Sequence, residues 1–178
     1  MADTQVSLIG AYAMECLQTA LNANPNPPAN YCYRVEYEPP MEVDWFVDQC
    51  CEGLGYVAIG EVWPSRASFP ENDLVGQTQG DCPFPAWGVQ VRMGVMRCVP
   101  TLTDEGSPAC TEQTAAYSQD LHDSQALREA SCCFRNRWIR STEGLGMLTV
   151  VNRQFKLIQG GCKDRWVGVD TQMMNCDC

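Results

Sequence analysis

AWGVQVRMGVMRC, residues 86–98, alternates for its whole length. Trp87, Val89, Val91, Met93 and Val95 fall on one side. Gly88, Gln90, Arg92 and Gly94 fall on the other. A period of two is the signature of a strand with one face in a core. The pattern predicts a strand over about residues 85–98, longer than most. It is read as a long buried strand, with partners and cover supplied by the flanking segments.

Downstream, Ser107 and Pro108 suit the N-cap and first turn of a helix. That helix is predicted over 108–140, with Tyr117, Leu121, Leu127, Ala130, Phe134 and Trp138 as its apolar face. Gly144 and Gly146 end it. Two strands follow, over about 147–158 and 164–173, joined at Gly160-Gly161-Cys162. Upstream, a strand is predicted over 55–63, where Gly60 interrupts the period and suggests a bulge. Tyr31, Tyr33, Val35 and Tyr37 mark another strand, stopped by Pro39-Pro40. The chain opens with a helix over about 4–22, Thr4 serving as N-cap. Val6, Ile9, Ala13, Cys16, Leu17, Ala20 and Leu21 form its apolar stripe. The Pro- and Asn-rich segment 22–30 ends it. Residues 64–84 (PSRASFPENDLVGQTQGDCPF) read as a long exposed loop, a length often tied to function.

The order is helix, three strands, helix, two strands. This predicts an α+β fold with a mostly antiparallel sheet, an N-terminal helix and a second long helix packed on it. No internal repeat breaks the chain, so one domain over 1–178 is expected, with a Cys-rich tail at 174–178 that can fray.

Twelve of the 178 residues are cysteine. The N-terminal segment reads as an amphipathic helix and not as an export signal. So many thiols imply either metal binding or a protein made in a cell that later meets oxidising surroundings. A virion component meets the second condition. Three close clusters stand out: Cys50-Cys51, Cys132-Cys133 and Cys176-x-Cys178. Structural zinc sites use a two-to-four-residue gap between ligands, which adjacent cysteines do not supply. Disulfides are therefore favoured over metal. The candidates are Cys98, Cys132, Cys133, Cys82 and Cys162, with at least two bonds expected.

The net charge of −10 opposes tight binding to nucleic acid phosphates. No apolar run is long enough to span a membrane. His122 is the lone histidine, flanked by Asp120 and Asp123, and reads as a solvated helix residue. There is no G-x-S-x-G, no phosphate-binding glycine loop, no dinucleotide fingerprint and no H-E-x-x-H. Glu61, Glu71 and Asp73 could meet in space, but their spacing does not require it. No catalytic residue, cofactor or metal is assigned on these grounds.

Four stretches carry a family resemblance: LGYVAIGEVWPSRASFP, CPFPAWGVQVRMGVMRCVP, the helix containing SCC, and QGGCKDRWVGV. Over residues 50–169 the chain resembles neck proteins of tailed phages infecting actinobacteria. The most similar of these is the siphophage tail terminator or an adjacent head-to-tail connector. It departs from them in the acidic EPPMEVDWFVDQ before Cys50, in loop 64–84 and in the Cys-x-Cys tail. The resemblance implies a non-enzymatic virion protein, a hexameric ring joining the tail tube protein to the connector or stopper. DNA would pass through its lumen without specific binding. In such a ring, loop 64–84 with Phe69, Glu71, Asp73 and Leu74 would carry assembly contacts. The other readings are a different neck adaptor or stopper, or a Cys-rich metal-binding or secreted protein.

Overall fold

The alternating stretch forms a 13-residue strand, Ala86–Cys98, flanked along its length on one side and along most of it on the other. The computed structural model describes residues 2–35, 50–65, 69, 86–102, 106–140, 148–157 and 161–174. Its elements are α1 (Ala2–Asn22), β1 (Asn30–Val35), β2 (Leu54–Ser65), β3 (Ala86–Cys98), α2 (Cys110–Arg140), β4 (Leu148–Leu157) and β5 (Cys162–Met174). The strands form one sheet in the order β1-β2-β3-β5-β4. This is the α+β fold with a mostly antiparallel sheet that the element order predicts.

β1 is the exception, running parallel to β2 from Asn30 opposite Leu54 to Val35 opposite Ile59. Every other pair is antiparallel. In β2 the register slips between Ile59 and Val62, so the bulge suggested by Gly60 is present. β5 begins at Cys162, two residues before its predicted start, and this places Cys162 directly opposite Cys98.

Both described helices cover the same face of the sheet. Val89, Val91, Met93 and Val95 of β3 meet Val57, Val167 and Val169 of the neighbouring strands, and Ile9, Ala13, Leu17 and Leu21 of α1. From α2 come Leu127, Ala130, Phe134 and Trp138, all buried. Burying each of these large apolar side chains contributes roughly 2–3 kcal/mol. α1 and α2 also grip each other. Arg137 lies over the Tyr12 ring at 4.4 Å and pairs with Glu15 at 2.7 Å. Cys16 and Cys133 form a disulfide between the helices, with Cα atoms 5.7 Å apart.

Several local expectations are corrected. α1 starts at Ala2, so Thr4 lies inside it and is not its N-cap. α2 starts at Cys110. Ala109 occupies the cap position: its carbonyl accepts from Gln113 N–H at 3.1 Å, and its own N–H donates to the Glu112 carboxylate at 3.3 Å. That is half of a capping box, and it moves the start two residues past Pro108. Tyr117 and Leu121 are 64% and 52% exposed, so the apolar face of α2 begins only with its second half. Tyr33 is 61% exposed, because β1 is an outer strand of the described sheet, whereas Tyr31 packs against the helix-side core and Cys32 against the cluster on the other face.

Candidate functional site

The sheet end at Cys98 and Cys162 carries the densest chemistry among the described residues. Cys50 starts a tight turn closed by Gly53 N–H donating to the Cys50 carbonyl at 3.1 Å, with Gly53 at φ 84°. Asn30 N–H donates to the Gly53 carbonyl at 3.3 Å and fastens the turn to β1. The turn aims two adjacent thiols at the two cysteines of the ladder. Cys50 bonds Cys162 and Cys51 bonds Cys98, with Cα separations of 6.0 and 4.5 Å. The two disulfides lie side by side, with the Cys50 and Cys98 sulfurs 3.7 Å apart. Cys50 and Cys162 are buried among Leu54, Tyr56, Ala58 and Met96, and Cys32 packs against them. Cys51 and Cys98 are exposed.

Of the sequence candidates, Cys98, Cys133 and Cys162 are in disulfides. Cys132 is not: it is an exposed thiol, one helical position away from Cys133, which faces α1. Cys82 lies outside the described residues. Sequence reasoning did not nominate Cys16, Cys50 or Cys51. A signal existed for Cys16, which sits in the predicted apolar stripe of α1.

A second constellation joins α2 to the sheet where the apolar core stops. Arg97, Lys163 and Arg165 point from β3 and β5 at Asp120 and Asp123 of α2. Arg97 Nε donates to Asp123 at 3.0 Å, and Lys163 Nζ pairs with Asp120 at 2.7 Å. Arg165 Nε donates to Asp120 at 2.9 Å and its Nη1 to the Ser124 hydroxyl at 2.5 Å. Asp123, 2% exposed, also accepts from Asn24 and Gln119. Every carboxylate here is met by cations or amides, which is the arrangement of a structural lock. His122, between the two acids in sequence, is exposed as expected.

The sheet face away from the helices is built differently. Tyr56 crosses β3 above Gly94, and its hydroxyl donates to Asp164 of β5 at 2.9 Å. A Cβ at Gly94 would fall inside the Tyr56 ring, and one at Gly88 inside the Trp63 ring. Phe69 stacks on Trp63 at 6.4 Å and is 8% exposed. This corrects the reading of segment 64–84 as exposed at Phe69, which an aromatic neighbour holds against the sheet. Pro64 and Ser65 likewise belong to β2 and not to a loop. Glu71, Asp73 and Leu74 lie outside the described residues. Arg92 lies over the Trp166 ring at 4.7 Å. Gln90 Nε2 donates to Asp170 at 3.3 Å. Burial raises the Asp170 carboxyl above its ordinary range, opposed by the Gln90 hydrogen bond and reinforced by the charge of Glu61. The acid that Glu61 influences is thus Asp170, which no spacing rule nominated.

No protein-family model matches the chain, and no curated protein matches it.

Proposed function

We propose that the chain is a structural subunit of a phage head–tail junction, assembling into a ring that terminates the tail tube and joins it to the head connector. The observation that carries this reading is the architecture of the described residues: a helix, three strands, a helix and two strands, both of these helices on one face of one sheet. That is the layout of the tail terminators the chain resembles. The two stretches central to the resemblance are β3 and β5, paired residue for residue from Ala86–Met174 to Cys98–Cys162.

A closed ring needs two different complementary faces on each subunit. The described sheet ends on β1 at one side and on β4 at the other, strands of opposite pairing sense and different sequence. Outer strands offer backbone groups to a neighbour. The net charge of −10 suits a lumen past which DNA slides without sticking. The test is a knockout of the gene in a phage that carries it. Heads and tails that fail to join, restored by the gene in trans, are expected. Normal particles, or a protein absent from purified virions, would remove the reading.

A further inference from the structure

We propose that the reduced chain holds a zinc ion between Cys50, Cys51, Cys98 and Cys162. The two disulfides at the sheet end are not separate staples. They bring the sulfurs of Cys50, Cys51 and Cys98 to one place, with Cys162 bonded to Cys50 beside them. Cys50 and Cys98 belong to different bonds, yet their sulfurs are 3.7 Å apart. A tetrahedron of sulfurs at about 2.3 Å from zinc has edges of about 3.8 Å. The sulfurs of Cys50, Cys51 and Cys98 all lie within 4.8 Å of one another. The Cys162 sulfur lies outside that 4.8 Å group and would turn in from its bond to Cys50 as the fourth ligand. Passing from the disulfide form to the zinc form opens each bonded pair by only ~2 Å, a change that side-chain rotation can make.

The backbone is suited to both states. Cys98 and Cys162 face each other across the β3–β5 ladder, so their spacing is set by the sheet. Cys50 and Cys51 are presented by a turn tied to β1 and closed on itself. Two ligands are buried in an apolar shell of Leu54, Tyr56, Ala58 and Met96, and two are exposed. The exposed pair gives the ion a path in, and the apolar shell strengthens the bonds to the ion once it is there.

The chemistry balances with a phosphine as reductant. Two disulfides, two phosphines and two waters give four thiols and two phosphine oxides. Zinc then displaces four protons to give a tetrathiolate. This site is independent of the ring assignment, since it requires no partner.

The test uses the full-length chain, reduced with a phosphine without air and incubated with zinc alone. Bound metal is measured, and each cysteine is scored by alkylation and peptide mass spectrometry with and without zinc. About one zinc per chain is expected, with Cys50, Cys51, Cys98 and Cys162 alkylated at least about tenfold more slowly when it is present. Cys16, Cys110, Cys132 and Cys133 should react alike in both samples. Cys162→Ser should weaken zinc binding at least about tenfold, and Cys110→Ser should leave it unchanged. If Cys162→Ser does not fold, the protection map of the unaltered chain decides. Equal alkylation with and without zinc overturns the proposal. So does protection that falls on another set, such as Cys176 and Cys178 with Cys32.

Discussion

β3 meets different surroundings on its two faces. Toward the helices its side chains are Val89, Val91, Met93 and Val95, and the cover comes from α1 and α2. Away from them it offers Gly88 and Gly94, and the cover comes from the adjacent strand, as Trp63 and Tyr56 lie across the gap each glycine leaves. The helix face fills space with its own side chains. The other face fills it with borrowed rings, and the ring that crosses furthest ends on a buried carboxylate, Asp164. A face of the first kind tolerates change in one side chain by local repacking. A face of the second kind fails as soon as the borrowed space is taken.

That contrast is broken most directly at Gly94. Gly94→Val should displace the Tyr56 ring and leave Asp164 without its phenol donor. The expected cost is about 4 kcal/mol, overpacking added to the loss of a hydrogen bond to a buried carboxylate. Urea denaturation measures it, and a loss under about 1 kcal/mol would show that the face adapts. On the helix face the matching test is Asp123→Ala. It leaves Arg97, a side chain 12% exposed, with the Asn26 carbonyl as its one remaining hydrogen-bond acceptor among the described residues. About 3 kcal/mol should be lost, and adding Arg97→Leu to the same chain should recover much of it, because the stranded charge is then gone.

The smallest effect expected is at Asp170. Its raised carboxyl means the folded chain keeps the proton longer than the unfolded chain does. Stability from this group is therefore full below the ordinary aspartate range and falls as pH rises through the folded value. Asp170→Asn keeps an acceptor for Gln90 and removes the titration. The variant should gain on the parent as pH rises from about 4. A difference that is flat with pH would contradict the sign.

These faces also show what the residues disclose before folding. The alternation of β3 is legible because one side is uniformly apolar. The stripes of α1 and of the second half of α2 are legible for the same reason. The first half of α2 is not. There the inward residues are Asp120, Asp123 and Ser124, since the sheet beneath presents Arg97, Lys163 and Arg165. A hydrophobic pattern assigns those acids to solvent and puts Tyr117 and Leu121 inside, the reverse of what is found. The parallel sense of β1 is hidden because pairing direction depends on where the connection runs, not on the strand's own residues. The cysteine cluster is hidden for a related reason. Knuckle spacing is the usual sign of converging thiols, and here the convergence comes from a turn meeting a ladder, with Cys50-Cys51 and Cys98 47 residues apart in the chain at the closer pair.

The central claim is that this scaffold is one unit of a closed ring. Native mass spectrometry of the purified full-length chain, with images of the same sample in the electron microscope, tests it most directly. The account predicts a closed assembly of six chains with a central opening. A protein that stays monomeric at every concentration, alone and with the tail tube protein, would contradict it.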